Sequence, residues 1–337
     1  MSEHVPRRAA LAVLGVLGAV AAINVPLLGA DPWPFHPSTV TPHGMLAPLV
    51  RAAHRHWDLG VVRTPAVLAL ALVALVVVAG WNARTWSRNW LVVLSVVVVG
   101  AVTAPAVLLQ VGLRDATAPW FHTNDSTYQI EIAGNLVRHG HSPYGRDYNG
   151  SGLERFYSRN GTVPPPDSRR QVALSHFAYF PGAALTAAAW SAVPAPLDDY
   201  RVLVLLTTIG LLFAALAFRG PLAWRLGIGA ALAASPPLVR GAWFGTADAP
   251  SLLCLTLAFG LLTRRRPALA SGLLAAAVLQ KQFALVAVPF FVLMLLSREL
   301  ERPARAKAAA VFAVVLATGF LPFLIADPVA LWHDTIR

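Results

Sequence analysis

Long apolar runs separated by short polar segments make up most of the sequence. Several runs approach the ~20 residues that an α-helix needs to cross a bilayer. The pattern therefore predicts an all-α fold, a polytopic bundle of transmembrane helices. The apolar runs cover residues 9–29, 64–80, 91–112, 177–196, 201–218, 225–241, 249–263, 267–280, 283–297 and 308–326.

The arginine distribution predicts which side of the membrane each loop occupies. Arg7 and Arg8 precede the first run, and arginines cluster at 264–266 and 298–307, so these segments are expected on the cytoplasmic side. Counts of crossings from the two ends disagree by one unless the run 177–196 begins and ends on the outer side. Because this run contains prolines at both ends, we expect a re-entrant or surface-lying helix there and about nine true spans.

This topology divides the chain into three parts. Residues 1–112 hold three spans with an outer loop at 30–63, and residues 201–337 hold six spans. Between them, residues 113–200 form a large outer loop that combines a polar stretch with the membrane-embedded run. We expect the functional residues in and around this loop.

Composition supports a membrane protein and narrows the function classes. The chain is 56% hydrophobic and 13% charged, whereas soluble domains are about 25% charged. The net charge of +11 could indicate nucleic-acid binding in a soluble protein, but in a membrane protein positive charge orients the spans, so no nucleic-acid partner is expected. A lone cysteine, Cys254, excludes an intrachain disulfide. Strong bias toward arginine over lysine is typical of a bacterial, GC-rich genome.

The polar stretch 122–144, HTNDSTYQIEIAGNLVRHGHSPY, interrupts the apolar pattern. Asn124 or Asp125 followed by a periodic segment and Gly140 predicts a helix cap, about four turns of helix and a glycine end. Tyr128 would then face the membrane surface. A carboxylate at a helix N-terminus is kept ionised by the helix dipole, which suits a general base. Simple capping is the alternative role for Asp125.

Lys281 stands out because apolar residues extend for about ten positions on both sides of the segment Gln280–Gln282. A lysine in mid-membrane costs a few kcal/mol on insertion scales. It could mark a turn and snorkel to the interface, or it could bind phosphate as a point charge; we favour phosphate binding. Asp248, before the run 249–263, has a helix cap as its simplest interpretation.

Four segments in this order resemble a known group of enzymes: DSTYQIEIAGNLVRHGHSPYG, HFAYFPGAALTAAAW, FGTADAPSLL and SGLLAAAVLQKQFALVAVPF. They are similar to the GT-C superfamily of integral membrane glycosyltransferases that use polyprenyl-phosphate sugars, and most similar to its bacterial mannosyltransferase-like branch. The resemblance covers about residues 120–300. Its aromatic–proline motif departs from the family pattern, because Tyr179 and Pro181 are separated by a phenylalanine and only one proline is present.

The resemblance implies that Asp125 is the general base that acts on the acceptor hydroxyl and that Lys281 binds the lipid phosphate. Other residues expected to bind donor or substrate are Gln282, Tyr128, Arg138, His139, Tyr144, His176, Tyr179 and Asp248. Members of this group usually continue for several more spans, so we expect the chain to be incomplete at its C-terminus relative to them.

The predicted function is inverting transfer of a sugar, mannose or arabinose, from polyprenyl phosphate to a cell-envelope glycan or lipid. The active site would lie on the outer side of a bacterial plasma membrane. No metal site is expected, because the outer loop offers no acidic pair and His139 and His141 lack companion ligands, although a divalent cofactor stays open. Two alternatives are a flippase for lipid-linked glycans, which would favour inverted repeats, and a non-catalytic partner of an envelope-assembly enzyme.

Overall fold

The computed structural model describes residues 4–28, 42–56, 60–117, 122–157, 172–297 and 300–336. Much of the predicted outer loop 30–63 and part of the loop 113–200 lie outside these residues. Within the described residues the chain is predominantly helical, and its only sheet is a short antiparallel pair of β1 (His4–Pro6) and β2 (Thr85–Ser87). The predicted all-α membrane fold is confirmed.

The helices follow the apolar runs closely. In chain order they are α1 Arg7–Leu27, α2 Ala47–His56, α3 Gly60–Ala79, α4 Arg88–Asp115, α5 Asp125–Arg138, α6 Val172–Ser175, α7 Pro181–Trp190, α8 Tyr200–Ala214, α9 Leu222–Ala233, α10 Pro236–Phe244, α11 Asp248–Thr263, α12 Pro267–Gln280, α13 Ala287–Ser297, α14 Arg302–Ala326 and α15 Pro328–Thr335. Short 3-10 turns lie at Leu153–Tyr157, at Ala215–Ala217 after α8 and at Gln282–Val286 before α13.

Five helices in the described ranges are long and apolar enough to cross a membrane: α1, α3, α4, α8 with its 3-10 extension, and α14. Helices α9 and α10 meet at a 48° bend and can be counted as a sixth, broken span. Three shorter apolar helices, at Asp248–Thr263, Pro267–Gln280 and Gln282–Ser297, correspond to the remaining predicted spans.

Helix α7 occupies the run for which a non-spanning helix was predicted. Its ten residues extend about 15 Å, roughly half the hydrocarbon thickness of a bilayer. Small residues let it pack closely on both sides. A β-carbon on Gly182 would lie 2.6 Å from the carbonyl oxygen of Leu279 in α12, and one on Gly134 of α5 would lie 2.7 Å from Ala187. Helix α7 therefore packs between α5 and α12.

The main core consists of small and branched apolar side chains from α1, α3, α4, α8 and α9. By contrast, α3 and α14 bury only 22% and 17% of their most apolar segments. Their exposed side chains include Leu68, Leu75 and Ile325. Such large apolar faces suit contact with lipid tails rather than water.

Candidate active site

The predicted outer-loop helix is α5, and its first turn is firmly anchored. Asn124 is the N-cap, and its side-chain oxygen accepts the Thr127 N–H at 2.7 Å. The Asn124 amide and the Thr127 hydroxyl both donate to the carbonyl of Phe244, the last residue of α10. The helix ends at Arg138, and Gly140 adopts a left-handed conformation with φ +77°. The predicted cap, helix and glycine end are confirmed.

Because Asn124 provides the cap, the carboxylate of Asp125 is available for other contacts. One carboxylate oxygen accepts the Ser126 N–H at 2.8 Å, and the other accepts the Tyr157 hydroxyl at 2.7 Å. Burial raises the pKa of Tyr157, and the hydrogen bond to Asp125 and its negative charge raise it further. Tyr157 therefore stays protonated at neutral pH and remains a donor to Asp125.

Tyr179 connects the start of α5 to Lys281. Its hydroxyl forms a hydrogen bond with the Ser126 hydroxyl, and its ring centroid lies 6.0 Å from Lys281 Nζ. Burial raises the pKa of Tyr179, and the charges of Asp125 and Asp248 raise it further, whereas the bond to Ser126 lowers it. The acid that begins α5 and the acid that begins α11 therefore both act on the same phenol.

Lys281 lies at a break between two helical segments. Helix α12 ends at Gln280, and Lys281 has an extended backbone (φ −157°, ψ 133°) before the next 3-10 turn. Its ammonium pairs with Asp248 at 2.6 Å. The other Asp248 oxygen accepts the Thr246 hydroxyl at 2.7 Å. The capping role expected for Asp248 is wrong, because the N-cap of α11 is Ala247 and Asp248 binds Lys281 instead.

Asp125, Tyr157, Tyr179, Asp248 and Lys281 thus form one group, which we call the Tyr179 cluster. Gln282 lies beside it and donates to the carbonyl of Ala178. A cavity of about 770 Å³ reaches the cluster at Asp248. Apart from Thr246, Asp248, Asn24 and Arg240, its walls are mainly apolar side chains of α1 and α10.

Two other expected binding residues support the cluster from outside. Tyr144 is buried, and its hydroxyl donates to the carbonyl of Tyr179 at 2.9 Å. Tyr128 packs against Phe156 and donates to the carbonyl of Ser151 at 2.9 Å. Both contacts order the outer loop.

The remaining expected residues lie away from the cluster. Arg138 and His139 are exposed at the far end of α5, about 20 Å along the helix from Asp125. Arg138 donates to the carbonyl of Ser191 at 3.1 Å. His176 stacks on His333, with ring centroids 4.7 Å apart.

The comparison with known proteins bears on the same region. Residues 177–336, just under half of the chain, match the family model described as Glycosyltransferase family 87. This match supports a membrane glycosyltransferase of the GT-C type. The match includes Tyr179, Asp248 and Lys281, whereas Asp125 and Tyr157 precede it. No curated protein and no solved structure matches the chain.

Sequence reasoning missed a largely buried ionic network on α4, α5 and α8. The guanidinium of Arg114 binds both carboxylate oxygens of Glu131, at 3.0 and 2.6 Å, and Asp199 at 2.8 Å. Arg201, which is 1% exposed, binds both oxygens of the same Asp199 at 2.9 and 2.7 Å. The available sequence signal was the Asp–Tyr–Arg segment at residues 199–201, at the start of an apolar run.

Proposed function

We propose that this glycosyltransferase inverts the sugar configuration as it transfers mannose or arabinose from a polyprenyl-phosphate donor. The acceptor would be a glycan or lipid of a bacterial cell envelope, on the outer side of the plasma membrane. The observation that carries the proposal is that Tyr179 lies between the start of α5, where Asp125 is, and Lys281. Its hydroxyl bonds to Ser126, next to Asp125, and its ring faces Lys281.

In the proposed step, the Asp125 carboxylate removes the proton of the acceptor hydroxyl. The acceptor oxygen attacks the anomeric carbon from the face opposite the phosphate, and the bond from that carbon to the phosphate oxygen breaks. Its electron pair leaves with the phosphate, and the configuration inverts. Each Asp125 oxygen accepts one hydrogen bond from the protein, so each keeps acceptor capacity for the incoming hydroxyl.

Lys281 would neutralise the departing phosphate. An ammonium has three donors, and Asp248 occupies one of them in the structure. The Asp248 pair would hold the ammonium in position before the donor arrives, while its remaining donors bind phosphate oxygens. The cavity that reaches Asp248 supports a lipid-linked donor, because its mainly apolar walls suit a polyprenyl tail.

The arginine distribution supports an outward-facing site. Asp125, Asp248 and Lys281 begin or end segments on the side opposite the arginines at 7–8 and 264–266. An outward-facing site suits a lipid-linked donor, since nucleotide sugars are cytosolic.

The experiment uses membranes from cells that express the full chain, supplied with radiolabelled polyprenyl-phosphate mannose or arabinose and an envelope lipid extract. We expect Asp125→Asn to abolish product while its expression and thermal unfolding match wild type. Asp147→Asn is the matched control, because among the described residues this exposed carboxylate accepts hydrogen bonds only within its own loop, from Asn149. Equal labelling by Asp125→Asn would remove Asp125 from the mechanism. Folded wild type that labels no product would overturn the proposed donor.

A further inference from the structure

A second polar group occurs where α15 meets the segment that precedes α7. His176, His333 and Asp334 each direct a metal-binding atom toward the others, and the three atoms lie within 4.8 Å of one another. We propose that these residues bind a transition-metal ion of the zinc type, and that the ion fastens α15 to the loop that carries Tyr179.

The carboxylate of Asp334 is held in a fixed orientation by backbone N–H groups. Its side chain is buried, and one oxygen accepts the N–H groups of Gly145 at 2.8 Å and Phe177 at 3.3 Å. The other oxygen lies 3.6 Å from Nδ1 of His333. Hydrogen bonds to one carboxylate oxygen fix the orientation of the group and direct its second oxygen to the metal.

The donor atoms select the class of ion. Two imidazoles and one carboxylate suit zinc and neighbouring first-row ions, whereas calcium and magnesium prefer ligand sets made of oxygen. The Ser175 hydroxyl lies 3.0 Å from Nδ1 of His176, which leaves Nε2 of that ring for the ion. A cavity of about 540 Å³ borders His333 and Asp334 and gives room for a water as the fourth ligand.

Binding requires only a small closure of the group. Ligands at about 2.0–2.1 Å from a tetrahedral zinc ion lie roughly 3.3 Å apart, which is closer than the 4.8 Å span in the structure. The His333 side chain is 51% exposed and can rotate, whereas the Asp334 side chain is 1% exposed and stays fixed. His333 would therefore move toward the other two ligands.

The bound ion would position the loop that carries Tyr179 and would take no part in sugar transfer. Asp334 already contacts the backbone at Gly145 and Phe177, and Phe177 lies two residues before Tyr179. A bound ion would add two strong bonds to His176 and His333 at this junction. It would hold the Tyr179 loop without touching the reacting atoms.

The test uses the full chain in detergent, purified without a polyhistidine tag, equilibrated with Zn²⁺ and freed of loose metal by gel filtration. Mass spectrometry should find about one zinc ion per wild-type chain, as expected for one site with these three ligands. We expect His333→Ala to bind zinc at least about tenfold more weakly. His141→Ala, which changes another exposed histidine of the outer loop, should keep the ion.

Cobalt substitution tests the same site in the wild-type protein, in case His333→Ala does not fold. Co²⁺ should give visible absorption bands typical of tetrahedral nitrogen and oxygen ligands, and Zn²⁺ should displace them. Absence of metal from wild type, or equal zinc in folded His333→Ala, would overturn the proposal. A pH-dependent unfolding temperature without metal binding would also overturn it, since protonation of the histidines would then explain the group.

Discussion

Lys281 illustrates how a residue at a turn can still hold its charge inside the candidate site. The helix does end beside it, so the residue marks a turn. Its ammonium nevertheless faces inward to Asp248, with the rings of Tyr179 and Phe283 at 6.0 and 5.8 Å, and its side chain is only 24% exposed. A lysine that merely snorkels to the interface would extend into water. The ion pair and the rings instead keep the charge at the cluster.

At this scale we predict that Lys281→Gln raises the KM for the polyprenyl-phosphate sugar about tenfold or more, because hydrogen bonds to charged groups contribute roughly 1.5–3 kcal/mol. Lys281→Arg should keep part of the affinity, since it retains the charge. Initial-rate kinetics over a range of donor concentrations measure the effect. Lys307→Gln is the matched control, because Lys307 is exposed on α14. An unchanged KM for Lys281→Gln would contradict a role in phosphate binding.

Residue-level features were predictable from sequence where they broke a pattern. Lys281 interrupts an apolar run, and Asp125 follows a capping asparagine, so both stood out. The partner of Lys281 did not, because Asp248 belongs to another helix, 33 positions earlier. Tyr157 carried no signal at all, since a tyrosine in a polar loop is ordinary and only the folded chain brings it to Asp125.

Among the helices, α7 has the greatest influence on the site. It packs on α5 and α12, the two helices whose ends carry Asp125 and Lys281. Gly182 makes this possible, because the α12 backbone passes where a side chain would begin. The spacing between the proposed base and the proposed phosphate ligand therefore depends on one short helix.

We predict that Gly182→Ala lowers activity strongly, because its β-carbon would meet Leu279 oxygen at 2.6 Å and Gln280 nitrogen at 2.8 Å, and backbone cannot move aside as a flexible side chain can. Gly100→Ala in α4 is the control, because a β-carbon there meets nothing within 4 Å and alanine favours a helix by up to about 1 kcal/mol. Transfer assays and circular dichroism on both variants measure the difference. Full activity of Gly182→Ala would show that α7 tolerates displacement.

The run that contains α7 shows that the sequence predicts the type of a helix better than its end. Charge counting predicted that residues 177–196 do not cross the membrane. The helix in this run begins at Pro181, a position where the missing N–H of proline costs no hydrogen bond. The helix ends at Trp190, several residues before the prolines at 194 and 196 that close the apolar run. This end is stabilised by tertiary contacts, including the Trp190 indole N–H, which donates to the Leu197 carbonyl at 2.9 Å.

Across the whole molecule, the ionic network of Arg114, Glu131, Asp199 and Arg201 links the spans to the outer loop. Arg114 lies in the last turn of α4, and Glu131 lies in α5. Asp199 caps α8 by accepting the N–H of Arg201 at 2.9 Å. Buried charges are costly unless they are paired and hydrogen-bonded. Here each carboxylate has at least one arginine partner, so the network fixes how three helices meet.

We predict that Arg114→Leu destabilises the whole protein by up to about 3–5 kcal/mol, because it leaves the partly buried carboxylate of Glu131 without its arginine partner. The midpoint of thermal unfolding in detergent should fall accordingly. Arg51→Leu, which removes an exposed arginine of α2, should leave the midpoint almost unchanged. If both variants unfold at the wild-type temperature, the network does not stabilise the fold.

The Phe244 carbonyl, which accepts two hydrogen bonds from α5, affects how much substrate binding energy remains for catalysis. Asn124 and Thr127 both donate to this one carbonyl, and Asp248 follows it by four residues. The two acidic ends of the site are therefore ordered while the chain folds, and their conformational entropy is lost before any substrate arrives. Any substrate that binds there need not supply that ordering free energy, so more of its binding energy stays available for the transition state.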